Sequence, residues 1–376
     1  MTPIDPTISI IVPVHDSAAY LRPCLDSLVG QSFRDIEIIC VDDGSTDDSP
    51  AILQEYASQD PRVVVITQPF RGVATARNTA LAHATAPFIM SCDSDDFYDL
   101  DMCRIMHETI LREDVDVVVC GWNIIFEIPE ALKKDVEEHL RLKYVGTQPI
   151  TWQKIINTDV SLCNKIFRRS LIDKYDIRFP DGLLFEDAYF NDAYMVVAET
   201  AYYLDEPLYN YIRHKHSVMS NAFMRSGTAS DYLQILFRTH EYLTKHGLFD
   251  QFRDFFWHRA IQYYSFAHDN LTGDDRDQVR ELARRFVKTH RSELNGVTPR
   301  IRLHFLSMVD PTARARWQVR SFLQRVFNAA DPYYRSQVFV AERADWITAQ
   351  QDDMRLKLTQ IGRDVETIRA AAERQR

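Results

Sequence analysis

Residues 8–49 read ISIIVPVHDSAAYLRPCLDSLVGQSFRDIEIICVDDGSTDDS, and the alternation inside this stretch decides the fold class. ISIIVPV (8–14) is a short continuous apolar run rich in β-branched residues, the pattern of a strand buried on both faces. Tyr20, Leu21, Cys24, Leu25 and Leu28 then recur at helical spacing, and IEIICV (36–41) returns to the strand pattern. The alternation continues outward. Ile52, Leu53 and Tyr56 mark a helix, RVVVIT (62–67) a strand, Val73 to His83 a helix and PFIMSC (87–92) a strand. Met102 to Leu111 and VDVVVCG (115–121) add one more helix and strand. Strands alternating with helices predict an α/β fold whose mostly parallel sheet is flanked by helices on both faces. Ligands of such sheets bind outside the carboxyl ends of the strands.

Two acidic turns fall at those ends. MSCDSDDFYD (90–99) places Asp93, Asp95, Asp96 and Asp99 directly after an apolar run. In extended backbone, residues i and i+2 point the same way, so Asp93 and Asp95 present two carboxylates to one point. Such a pair is strained unless a cation neutralises it, and a hard divalent ion with oxygen ligands, Mg²⁺ or Mn²⁺, suits it. These ions keep open positions for phosphate oxygens, which implies a diphosphate ligand. The alternative from spacing alone is a solvated acidic loop with Asp96 or Asp99 capping a helix. The second turn, VDDGSTDDS (41–49), follows the second strand. Gly44 permits a tight turn, and Asp43 is aimed from the strand end toward the same crevice.

The order ISIIVPVHDS, VDDGSTDDS, RGVATARNTAL and CDSDD resembles the nucleotide-binding half of a family-2-type inverting glycosyltransferase with the GT-A fold. A looser likeness to the acceptor half of bacterial capsule and O-antigen transferases follows in CNKIFRRSLI, IRFPDGLLFEDAYF and YNYIRHKHSVMS. The resemblance covers residues 8 to about 222 and implies a set of roles. Asp43 would hold a uracil ring near Pro13 and Arg71, Asp93 would contact ribose or metal, and Asp95 would be the direct metal ligand. Asp187 would be the catalytic base, with Glu186 as its rival. Arg213 would bind the diphosphate, and His216 would supply a further metal ligand or phosphate contact. Arg77 and Lys165 are candidate contacts to nucleotide or sugar. His15, Asp16, Cys92 and QPFRG (68–72) depart from the usual pattern without removing a carboxylate, so base and sugar selectivity are where departures are expected. The implied chemistry is metal-dependent transfer from a nucleotide sugar, a UDP-sugar first, to a glycan or lipid-linked glycan acceptor in surface polysaccharide synthesis. A sugar nucleotidyltransferase is the first alternative, but VHDSAAYL lacks the glycine- and basic-rich phosphate loop that class uses. A non-catalytic coiled-coil scaffold is the second, and the intact aspartates count against it.

The bulk numbers agree with such a protein. A chain of 376 residues with 45% hydrophobic and 26% charged residues suits a large globular domain plus an appendage. The net charge of −10 argues against a general nucleic-acid binder. Six cysteines without a C-x-x-C pair read as small buried hydrophobes of a reducing cytoplasm. The N-terminus lacks a signal pattern and no apolar run reaches 18 residues, so the expected location is cytoplasmic. The expected organisation is a donor half at 1–121, an acceptor half at 122–222, a helical region at 223–337 and a coiled-coil helix at 338–376. The aromatics of the helical region, Phe252, Phe255, Phe256, Trp257, Tyr263, Tyr264 and Phe266, read as core. Residues 300–335 carry seven arginines against two acids. They read either as a core-packing helix with a solvated back or as a peripheral contact with anionic lipid on the inner membrane face. Val340, Ala344, Ile347, Gln351, Met354, Leu358, Ile361, Val365, Ile368 and Ala372 form a heptad seam, which predicts a parallel homo-oligomer; a single helix folded back on its own domain is the alternative.

Overall fold

The structure is a computed structural model that describes residues 5–126, 142–213, 228–270, 273–298, 301–302 and 305–306. The chain divides into two units, Met1–Val309 and Asp310–Arg376, and all described residues lie in the first. The heptad seam, His216 and most of the arginine-rich segment lie outside the described residues.

The alternating N-terminal elements form as expected: β1 (Ile8–Val14), α1 (Ala18–Val29), β2 (Ile36–Asp43), α2 (Ser49–Gln59), β3 (Val63–Gln68), α3 (Val73–His83) and β4 (Phe88–Ser91). A two-residue strand, β5 (Phe97–Tyr98), precedes α4 (Met102–Arg112) and β6 (Val117–Phe126). Then come β7 (Gly146–Pro149), α5 (Trp152–Asn157), β8 (Lys165–Arg168), α6 (Arg169–Lys174), α7 (Glu186–Met195) and the long β9 (Thr200–Arg213). Helices α8 (Thr228–Lys245), α9 (Arg253–Asn270) and α10 (Gly273–Thr289) follow, and a 3₁₀ turn (Arg291–Leu294) comes after them.

The nine strands make one sheet in the order β3-β2-β1-β4-β8-β6-β9-β5, with β7 paired to β9. The mostly parallel expectation holds for β3, β2, β1 and β4 only. Beyond them, β6 runs parallel to β9, but β4–β8, β6–β8, β5–β9 and β7–β9 are antiparallel. The sheet is therefore mixed. Its second half interleaves short strands and six-residue helices with antiparallel pairings, a weaker signal for a sequence reading than the regular repeat of β1 to β4. Strand β6 also runs through the boundary expected at 121/122, so the two halves share one sheet.

The core follows from the burial of β1 and of the apolar stripe of α1. Ile8, Ile10, Val12, Leu21, Cys24, Leu25 and Leu28 are all fully enclosed. All six cysteines are buried and unbridged, as their apolar surroundings predicted. Of the aromatic stripe, Phe252, Phe255, Phe256, Trp257, Tyr263 and Tyr264 are core residues; the Phe266 side chain is outside the described set. Among the described residues no helix is long and apolar enough to cross a membrane.

The strand order reverses between β1 and β4, since β2 lies on one side of β1 and β4 on the other. That switch point opens a crevice beyond the carboxyl ends of β1, β2 and β4. Both acidic turns stand there.

Candidate active site

Three loops wall the crevice and are sewn to one another. After β1, His15 Nδ1 meets the Asp43 carbonyl at 2.9 Å. Asp16, in the left-handed region at φ 45°, accepts the Thr46 amide at 2.6 Å and the Asp47 amide at 3.3 Å. The Ser17 hydroxyl meets that of Ser94, the middle residue of the Asp-Ser-Asp turn, at 2.7 Å. Gly44 takes φ 71°, and a Cβ there would stand 2.6 Å from the Phe70 backbone nitrogen, so only glycine fits beneath the β3–α3 loop.

Asp43 is buried at the end of β2. Its carboxylate accepts Gln68 Nε2 at 2.7 Å and the backbone amides of Arg71 at 2.9 Å and Gly72 at 2.7 Å. It thus anchors the loop into α3. An ionised carboxylate offers about four acceptor positions, so about one remains for a ligand donor. Pro13 is buried on β1 opposite Val41, next to the Val14–Asp42 pair. The Arg71 side chain is exposed, and beside it the Phe70 ring packs 4.6 Å from His15 at the mouth.

The turn after β4 sorts its aspartates by environment. Asp93 and Asp95 are half-buried. Asp96 is buried, and Tyr209 Oη and the Ile212 amide each donate to it at 2.7 Å. Burial, and then the charges of Asp95 and Asp93, push its pKa well above the usual carboxylate range. Asp96 does not cap the next helix, whose N-cap is Asp101; it pins β9 against the turn. The next residue along β9 is Arg213, whose Nε is buried with no hydrogen-bond partner among the described residues. A buried guanidinium N–H without a partner suits a bound anion.

Arg77 joins the two halves of the site. It lies on the buried face of α3 with Ala74 and Ala80. Its Nη2 donates to Asp93 Oδ1 at 2.7 Å, and its Nη1 pairs with Glu186 Oε1. Burial pushes its pKa down, but the charges of Asp93 and Glu186 outweigh that and hold it up. Phe185, at φ 66°, makes a sharp left-handed entry to α7, so Glu186 turns inward and Asp187 is left half-buried. Asp187 Oδ1 accepts its neighbour's amide, Ala188 N, at 2.7 Å. Burial first and the Glu186 charge second raise the Asp187 pKa to about 7, although Arg77 pulls the other way. A carboxyl poised near neutrality suits general base work.

Of the residues expected from sequence, Asp43 and Arg71 meet through the Arg71 backbone. Asp93 reaches Glu186, next to Asp187, through Arg77, and Arg213 adjoins the Asp96 anchor. Lys165, expected near the nucleotide or sugar, is instead fully buried; its amine donates to the carbonyls of Asp159, at 2.8 Å, and Ser161. Burial lowers its pKa. The ion-pair role of Arg77 was not foreseen. Its sequence signal was an arginine three residues from alanines on either side along one helix face, a place where a charge needs a partner. Tyr209 and the Ser17–Ser94 bridge gave no such signal. The donor set of Asp93 and Asp95, half-exposed hard oxygens, fits Mg²⁺ or Mn²⁺.

Residues 9–176 match the model for glycosyl transferase family 2. EpsH of Bacillus subtilis strain 168 is 33% identical over 228 residues, 57% of this chain and 63% of EpsH. The glycosyltransferase GlyA of Streptococcus pneumoniae is 30% identical over 222 residues, 57% of this chain and 32% of GlyA. The chain thus spans less than two thirds of the length of these curated relatives. Among solved structures, residues 1–349 of S. aureus TarS in complex with UDP-GlcNAc superpose with a TM-score of 0.64 at 21% identity, covering 83% of this chain and 88% of that one. The likeness is one of fold.

Proposed function

We propose that the protein, whose residues 9–176 match the glycosyl transferase family 2 model, moves a sugar from a nucleoside diphosphate sugar, a UDP-sugar first, to a glycan or lipid-linked glycan hydroxyl, with inversion at the anomeric carbon. The observation that carries this reading is the Asp93–Arg77–Glu186 bridge. It sets Asp187, with its pKa of about 7, beside the turn that would hold the donor's diphosphate. The TarS structure of the same fold holds UDP-GlcNAc, a UDP-sugar.

Asp43 offers its remaining acceptor position to a base N–H, with Pro13 on the neighbouring strand and the His15–Phe70 pair and Arg71 near the Asp43 loop. Asp95 and Asp93 would hold Mg²⁺ or Mn²⁺, which when bound would neutralise charge on the departing diphosphate. Arg213 supplies the orphaned guanidinium for the same phosphates. Asp187 takes the acceptor hydroxyl's proton as that oxygen attacks opposite the leaving group. Glu186 is occupied by Arg77 and does not compete for this role. The crevice loop after β1 is acidic, with Asp16 turned to backbone amides, which does not suit the phosphate loop of a nucleotidyltransferase. We also infer assembly into a homo-oligomer through the heptad seam from Val340 to Ala372.

Donor screening tests the reading. Thermal shift with a panel of nucleotide sugars, followed by mass spectrometry of glycan products, should find one donor that stabilises the protein and extends an acceptor. A panel without any stabilising donor contradicts it.

A further inference from the structure

A second cluster of ligating side chains lies away from the crevice. His240, on α8, comes together with His290 and Glu293, at the 3₁₀ turn after α10. His240 Nε2 stands 2.9 Å from Glu293 Oε2, and His290 Nδ1 stands 3.0 Å from Glu293 Oε1. The two imidazole rings are 4.4 Å apart, and the three ligand atoms all lie within 4.8 Å of one another. One ring nitrogen from each histidine and one carboxylate therefore converge on a single point from two segments of chain.

We propose that His240, His290 and Glu293 bind a zinc ion that staples α8 to the turn after α10. Two imidazoles and a carboxylate are a borderline nitrogen and oxygen set, which Zn²⁺ prefers and Mg²⁺ does not. Zinc bonds of about 2.0–2.1 Å place tetrahedral neighbours about 3.3 Å apart. The two short pairs need to open by a few tenths of an ångström, and a carboxylate rotation supplies that. Phe249, Phe256 and Phe286 pack against the His240 ring, and Phe286 against His290 as well. This apolar wall closes one side. The side chains of His290 and Glu293 keep 24% and 27% of their surface, which leaves an entry path and room for one solvent ligand. The staple bears on the other site through packing. Tyr242 of α8 meets Tyr189 of α7 at 6.2 Å, and Asp231 accepts the Leu184 amide at 3.2 Å. Helix α7 carries Asp187.

The test uses the full chain, freed of metal by chelator and without nucleotide. Zinc is added, excess is removed, and bound metal is measured by atomic emission. Wild type and Asp95→Asn should each retain one zinc per chain and gain thermal stability from it. His290→Gln and Glu293→Gln should bind zinc more weakly by over about 100-fold. In wild type, Co²⁺ should give the intense visible bands of a four-coordinate site, a signature that needs no substitution. Equal zinc retention by His290→Gln, Glu293→Gln and wild type overturns the proposal, and so does loss of zinc in Asp95→Asn. Wild type that holds neither zinc nor four-coordinate cobalt overturns it too, and leaves a hydrogen-bonded cluster.

Discussion

At the scale of single residues, two adjacent acids have opposite fates. Burial raises the pKa of both, but Glu186 turns inward to pair with Arg77, while Asp187 makes no such pair among the described residues and has a pKa of about 7. Asp187→Asn keeps the shape and removes proton acceptance, so turnover should fall by roughly 10²–10⁴ while UDP binding survives in a titration. Activity of wild type should rise with pH along a limb near 7. Glu186→Gln removes the neighbouring charge and frees Arg77, and both changes lower the Asp187 pKa. The limb should therefore move to lower pH in that variant, read from kcat/KM against pH. The same shift has a stability consequence. The folded pKa lies above the ordinary 3.8, so ionising Asp187 costs the folded state progressively from about pH 4 to pH 7 and fully above that. Asp187→Asn should therefore melt above wild type at pH 8, with the gap shrinking toward pH 4. The sequence reading put Asp187 first and Glu186 as its rival through the family resemblance, but the features that separate the two carboxyls, the backbone turn at Phe185 and an arginine 109 residues away, carry no local sequence signal.

At the scale of elements, helix α7 is held at both ends of its buried face. Arg77 of α3 holds its start, and Arg259 of α9 holds Asp192 within it through Nε at 2.9 Å and Nη2 at 2.7 Å. Arg259 and Asp192 are both buried, so removing one partner strands a charge in the interior. Arg259→Met should cost about 3–5 kcal/mol in chemical denaturation, and adding Asp192→Leu should return most of it. No recovery in the double variant would mean that packing by the guanidinium, which stacks near Phe255 and Tyr263, matters more than its charge. β1, β2 and β4 were legible as buried apolar runs, and β3 as a β-branched run between two helices. β8 and β9 were not, because β8 is four residues long and β9 mixes buried tyrosines with an exposed Asp205-Glu206-Pro207 interruption. A strand read from pattern alone breaks at such a proline.

At the scale of the whole molecule, the parallel N-terminal strands and the mixed strands after them share one sheet, and the fold likeness to TarS covers 83% of the chain. The aspartates at the strand ends were legible from spacing, whereas the Asp93–Arg77–Glu186 bridge was not, since it joins residues with no common period. The heptad seam lies outside the described residues, and its reading rests on sequence. A chain ending near Val338 should be monomeric by light scattering, against two to four subunits for the full chain; equal monomeric masses would end the coiled-coil reading. The central claim, sugar transfer that uses Asp187 as base and the Asp93–Asp95 turn for metal, is met most directly by one assay. UDP release from a panel of UDP-sugars is followed for wild type, with Mn²⁺ and with chelator, beside Asp187→Asn with Mn²⁺. The account predicts release from one donor by wild type with Mn²⁺ only, and almost none from the variant. Release at the wild-type rate in chelator, or by Asp187→Asn, would contradict it.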